Sequence, residues 1–264
     1  MKLLMKIIIY ITLFILFSIH AMAQASGGQI VRKKGNDKIQ MSKSNRASSN
    51  ANIAILSNGK TIAYETSQAV DLGLPSGTIW AGYNVGANSP KESGAYYAWG
   101  DIDDKNTYTK DGYFDTDRIE NAIVLFKVYK TGSKTSIIGT ERDVARVKWG
   151  TPWKMPSKAQ IEELLSKCKK FFVKCKGDSK DYILFKGPNG KSILFPASGK
   201  KYDKNLMEEY RCYYWSGELD SSMAFSQMAS CLSGSGYSWD SSVSAEVYYD
   251  FRWYGMNVRA VKSK

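Results

Sequence analysis

From Ile53 onward the chain is dominated by short runs of alternating or continuous apolar residues closed by turn residues, and these predict strands. Ile53 and Ile55, the pair Asn58-Gly59, then Thr61 to Tyr64 read as a β-hairpin, because Asn-Gly adopts the positive φ values that a two-residue turn needs. A second hairpin is predicted from Tyr182 to Phe185, a Gly187-Pro188-Asn189-Gly190 turn, and Ser192 to Phe195. A third joins Tyr213 to Ser216 with Met223 to Ser230 around Asp220-Ser221-Ser222, and the last strands are expected at Val247 to Phe251 and Asn257 to Val261. Two stretches break this pattern with a helical period. Glu141 to Val147 follows Thr140 as N-cap, with Asp143 in the first turn, where a negative charge suits the helix dipole. In the other, Pro156 stops the chain, Ser157 caps, Gln160 completes a capping box, and Ile161, Leu164, Leu165 and Cys168 share one face before a lysine-rich end. Strands on both sides of two helices, without regular βαβ alternation, indicate an α+β fold.

The N-terminal segment has a different character. Lys2 and Lys6 precede an apolar run from Ile7 to Ile19 and the triplet Ala21, Met22, Ala23, which is the layout of a secretory signal peptide over residues 1–23. The run is too short for a spanning helix, so no membrane span is expected after cleavage. Export to the periplasm, the outer surface or the medium follows. Residues 24–49 are rich in Ser, Asn, Gly and Lys and read as a flexible basic leader; residues 50–264 read as one folded domain. Without Lys2 and Lys6 the 37 basic residues become 35, against 25 acidic ones, for a net charge of +10. Because the leader carries a concentrated share of that excess and the chain is exported, nucleic acid is not the expected partner.

One absence excludes much chemistry. His20, the single histidine, leaves with the signal segment, so Ser-His-Asp hydrolysis, Cys-His proteolysis and His-ligated metal sites cannot be built from the mature chain. No catalytic residue, metal or cofactor is expected. Four cysteines in an exported chain favour disulfides, with three possible pairings. Cys212 with Cys231 is preferred because the third hairpin brings the two together, which leaves Cys168 with Cys175.

Ordered motifs then add a resemblance. Val70-Asp-Leu-Gly-Leu-Pro-Ser-Gly-Thr-Ile-Trp-Ala81, Gly94-Ala-Tyr-Tyr-Ala-Trp-Gly100, Asp143-Val-Ala with Trp149-Gly-Thr-Pro-Trp-Lys-Met-Pro156, Gly187-Pro-Asn-Gly190, Tyr214-Trp-Ser216, and Arg252-Trp-Tyr-Gly255 with Val258-Arg-Ala-Val261 follow one another along the chain. Together, over about residues 70–261, they resemble the Fibrobacter succinogenes major paralogous domain, found in exported proteins of Bacteroidetes-type bacteria. The resemblance implies a C-type-lectin-like fold with two helices, small antiparallel sheets and neighbouring termini, and it implies no reaction. Ala260 stands where that family usually has Pro. Trp80, Trp99, Trp149 and Trp153 are expected in the core, and Arg252 and Arg259 are expected to hold the scaffold together.

Calcium-dependent lectins of similar fold use Glu-Pro-Asn or Gln-Pro-Asp with Trp-Asn-Asp, and none of these occurs here. The cluster Asp101, Asp103, Asp104 and Asn106 lacks the glycine and distal glutamate of an EF-hand loop and reads as a solvated connector. Between Gly234 and Tyr254, however, aromatic residues are interleaved with Ser, Gly and Asp, a composition that suits recognition, although it also suits a sheet filling its own core. The expected ligand face comprises Tyr237, Trp239, Asp240, Tyr248, Asp250, Trp253 and Tyr254. If Val247, Tyr249 and Phe251 point inward, strand alternation sends Tyr248 and Asp250 outward. The expected function is a non-catalytic binding module for a glycan or protein ligand at the cell surface, of undefined oligomeric state. One alternative is an enzyme like the formylglycine-generating branch of this fold, with Cys212 and Cys231 at copper. Another is a retroelement-diversified ligand-display protein.

Overall fold

The computed structural model describes residues 52–113, 116–117, 125–126, 136–219, 228–237 and 242–264, so the expected signal peptide and basic leader lie outside the described residues. Its two helices and several small antiparallel sheets form an α+β fold in which strands predominate.

The largest sheet orders β2 (Thr61–Ala63), β1 (Ile53–Ile55), β7 (Lys169–Cys175), β8 (Asp181–Lys186) and β9 (Ser192–Pro196), all antiparallel. Both predicted hairpins of this sheet are present. In β8 and β9 nearly every residue is buried, whichever way it points, because both faces are covered. On one face Ile183, Phe185, Ile193 and Phe195 meet Ile161, Leu164, Trp80 and Tyr214; on the other Tyr182, Leu184 and Leu194 meet Ala54, Tyr64 and Val173.

A second sheet orders β12 (Cys212–Leu219), β13 (Met228–Gly236) and β14 (Val243–Phe251). A third orders β15 (Val261–Lys262), β4 (Ile79–Ala81) and β3 (Ala69–Asp71), so β4 pairs with the strand just before it and with the last strand of the chain. Two short ribbons complete the set: β5 (Thr116–Asp117) with β6 (Leu125–Phe126), and β10 (Lys200–Tyr202) with β11 (Asn205–Met207). Of the strand expected from Asn257 to Val261, only the last residue enters a ladder. Met256 and Asn257 make single bridges to Tyr97 and Tyr214 instead.

The helices form close to their predicted places. α1 (Val144–Trp149) starts three residues later than expected, and Asp143 rather than Thr140 is its N-cap. The buried Asp143 carboxylate accepts from the N–H groups of Gly139 (2.8 Å), Arg146 (3.2 Å) and Met155 (3.0 Å), a set of partners that a threonine hydroxyl could not satisfy. α2 (Lys158–Lys167) has the full capping box: Ser157 Oγ accepts from Gln160 N at 3.1 Å, and Gln160 Oε1 accepts from Ser157 N at 3.0 Å. It buries Ile161 and Leu164 against the first two sheets. Neither helix is long and apolar enough to cross a membrane.

Neither expected disulfide forms, and all four cysteines are buried free thiols. Cys212 is opposite Gly234 and Cys231 is opposite Trp215 in the β12–β13 register, so the two sulfurs emerge on opposite faces of one sheet and enter different core clusters. Cys168 caps α2 while Cys175 ends β7, and seven extended residues separate them by about 23 Å, several times the span of a disulfide. The expected hairpin pairing forms between β12 and β13, but β13 runs over Met228–Gly236 rather than Met223 to Ser230, and residues 220–227 lie outside the described residues.

Trp80, Trp99 and Trp153 are buried as expected, whereas Trp149 is half-buried and packs edge-on against Tyr83 and Trp153. The acidic connector is also less solvated than its sequence suggests: Asp101 is buried and paired with Lys105 at 2.5 Å, while Asp103 pairs with Lys148 at 2.9 Å and Asp104 accepts from Tyr108. These carboxylates turn to separate partners.

Arg252 and Arg259 are fully buried. The Arg259 guanidinium donates to Asn84 Oδ1 (2.8 Å), Ala81 O (3.1 Å) and Leu194 O (2.8 Å) and lies 4.2 Å from the Phe195 ring centre, so one side chain ties β4, β9 and the C-terminal segment together. Arg252 covers the face of Trp99 at 4.7 Å.

Candidate functional site

The predicted aromatic face does not assemble as one surface. Tyr237 and Tyr248 are exposed, by 53% and 45%. Tyr237 follows β13 at the hairpin end, and Tyr248 lies five residues along β14 from Val243, so about 17 Å of strand separates them. Trp253 is buried and stacks on Phe251 at 4.5 Å, with Lys110 over its ring. Tyr254 is half-buried against the same cluster and meets Tyr202 edge-on at 5.2 Å. Trp239 and Asp240 lie outside the described residues.

Asp250 is a plain correction. It lies on the Tyr248 face of β14, as alternation requires, yet it is only 6% exposed, because Lys200 of β10 crosses that end of the sheet and bonds it at 2.8 Å. Burial pushes the Asp250 carboxyl above the ordinary carboxylate range, against the pull of Lys200. Alternation gives a direction; what covers that direction is decided by another part of the chain.

A cleft of 580 Å³ forms elsewhere, beside the β10–β11 ribbon. Ala197 and Ser198, just after β9, contribute its inner part, with Ser93 and Tyr96 from one loop, Ser179 and Lys180 from the turn before β8, and Asp181 from its first position. Leu206, Glu209 and Tyr210 come from β11 and the turn after it. Tyr210 is 60% exposed and Leu206 40%, so an aromatic and an aliphatic side chain stand at the opening.

Local chemistry explains why the ribbon sits there. Tyr202 pairs with Asn205 across Asp203-Lys204, and Asp203 takes the positive φ of 53° that such a tight loop demands. Gly199 lies so close to β11 that a Cβ would meet Met207 O at 2.2 Å, which only glycine permits. Paired bonds between Lys201 and Gly255, and between Asp203 and Tyr108, fasten the ribbon to the C-terminal segment and to the loop before it. Lys201 also lies over the Tyr96 ring at 4.7 Å.

The cleft walls are braced from behind. Tyr96 donates to Ser198 O at 2.6 Å, and burial pushes its phenol up to about 12, so it is neutral at physiological pH. Asn84, held by Arg259, donates to Ser93 O at 2.7 Å. Lys180 reaches Ser93 Oγ at 3.3 Å, and Asp181 pairs with Lys174. Hydroxyls, two carboxylates and an ammonium therefore surround a phenol ring and a leucine. Such a set can donate and accept hydrogen bonds while offering an apolar platform. Among the described residues no group of three or more Cys, Asp or Glu side chains is placed to hold a metal ion. Comparison of the chain with family models, curated proteins and solved structures finds no match.

Sequence reasoning placed the ligand face on β14 and missed this cleft. Its walls come from four segments spread between Ser93 and Tyr210, and Asp203-Lys204 lacks the glycine that marks most tight turns, so the ribbon carrying Tyr210 left little local signal.

Proposed function

We propose that this chain is an exported, non-catalytic binding module of C-type-lectin-like type, related to the Fibrobacter succinogenes major paralogous domain, and that it holds a glycan in the cleft beside Tyr210. The observation that carries the reading is Tyr210 itself. A large ring left 60% exposed at the mouth of a 580 Å³ cleft offers a flat face to a sugar ring, and the volume falls in the usual range for small-ligand sites. Asp181 and Glu209 accept from sugar hydroxyls, Lys180 donates to them, and Ser93 and Ser179 do either. The lectin-like assignment draws support from the two helices, the small antiparallel sheets, and the pairing of both β3 and β15 with β4, which brings the ends of the resembling segment together. The copper-enzyme alternative draws none, since Cys212 and Cys231 face opposite sides of their sheet.

The test is a glycan array probed with the purified chain and with Tyr210→Ala. Because Tyr210 is mostly exposed, its removal should leave the thermal midpoint within about 2 °C while lowering array binding at least about tenfold. Binding by the substituted chain at the original strength would refute the placement. Absence of any glycan signal from the unsubstituted chain would refute the ligand class.

A further inference from the structure

Lys200 ends among carboxylates and rings. Its Nζ lies 2.8 Å from Asp250 Oδ2 and 3.3 Å from Glu208 Oε1, and 4.6 Å and 5.3 Å from the ring centres of Tyr213 and Tyr254. The Lys200 and Asp250 side chains are only 10% and 8% exposed. Glu208 is set in place by a hydrogen bond from the Tyr213 hydroxyl and has a backbone φ of 53°, a conformation few non-glycine residues adopt. As a stabilising device this is poor, because desolvating two charges offsets most of their attraction and an apolar pair would serve as well. As an arrangement of reactants it has a use: a primary amine is held against a carboxyl group in water-poor surroundings, with a second carboxylate touching the amine.

The geometry points to an intramolecular isopeptide bond between Lys200 and Asp250, with Glu208 as the proton carrier. The step needs no oxidant, reductant or co-reactant. The ammonium passes one proton to the Asp250 carboxylate across their hydrogen bond, and the nitrogen lone pair then attacks Cγ. An N–C bond forms. Glu208 takes the surplus proton from nitrogen and returns it to the departing hydroxyl, a C–O bond breaks, and one water leaves. Burial favours the neutral acid at Asp250, whereas the two carboxylates hold Lys200 toward its charged form despite its own burial. The reactive amine-plus-acid pair is therefore a minor population, and closure is slow. Its product is a covalent tie from the base of the ribbon bearing Leu206 to β14, which fixes one wall of the cleft. The reaction is a single maturation event and not turnover, so it stands or falls apart from glycan binding.

The intact mass of the purified chain after prolonged incubation at mildly alkaline pH tests this, together with a tryptic map. The expected result is a mass one water below that of the sequence from its actual N-terminus, with the peptides of Lys200 and Asp250 joined in one branched species. Asp250→Asn should reach the same product with loss of one ammonia, and Lys200→Arg should keep its full mass. Glu208→Gln should slow closure by about a hundredfold; an unchanged rate would remove Glu208 from the step. Full mass and separate peptides in both the unsubstituted chain and Asp250→Asn would overturn the proposal and leave a buried ion pair only.

Discussion

Replacing Arg259 by lysine should be more damaging than replacing it by methionine, although lysine keeps the charge. The guanidinium donates in three directions, to Asn84, Ala81 and Leu194, and covers Phe195. Methionine loses three charge-assisted bonds, each worth about 1.5–3 kcal/mol, but also removes a buried cation whose desolvation costs several kcal/mol; the net loss is about 3 kcal/mol. Lysine still buries a cation, so nothing offsets its losses, and its compact ammonium cannot fork to three separated acceptors, so two of the three charge-assisted bonds go at about 1.5–3 kcal/mol each. Its cost is about 5 kcal/mol, comparable with the whole stability of an ordinary domain. Burial pulls the Arg259 guanidinium down to about 10, the direction in which a buried cation is penalised. Urea unfolding of the three proteins, followed by tryptophan fluorescence, measures the order directly. A lysine variant within about 1 kcal/mol of the parent, or more stable than the methionine variant, would refute the reasoning.

Two further outcomes follow from buried groups that keep their protons. The four thiols should resist a water-soluble thiol reagent in the native chain and all react once it is denatured, since burial pushes Cys168 and Cys212 up to about 12 and raises Cys175 and Cys231 as well; fewer than four reactive thiols in denaturant without reductant would restore a disulfide. Stability should be flat through neutral pH and fall above about pH 8.5, because the unfolded chain then releases thiol and later phenol protons that the fold retains. Tyr64, Tyr96 and Tyr97, each raised to about 12 chiefly by burial, extend that loss to the folded values. Thermal midpoints that rise from pH 8 to pH 10 would contradict this sign.

What could be read along the chain was what nearest neighbours decide. The capping box at Ser157, the turns at Asn58-Gly59 and Gly187 to Gly190, and the apolar runs of β8 and β9 all appear in the structure where they were expected. Asp143 shows the limit of this. Its place suits a first-turn acid at a helix dipole; in the fold it is the cap, accepting from Arg146 N, and it also accepts from Met155 N–H, twelve residues later, which only the fold brings near. The cysteines show the same limit, since one residue of register decides which face each sulfur takes.

The sequence by itself determined the strand-rich α+β character, the positions of both helices, and the absence of imidazole from everything after residue 20. Tertiary structure alone decided that Asp250 turns into an ion pair, that Tyr237 and Tyr248 stand apart, and that Tyr210 looks into a cleft. The reason is range: turns, caps and periodicity act over a few residues, whereas burial of a side chain depends on whatever distant segment happens to cover it.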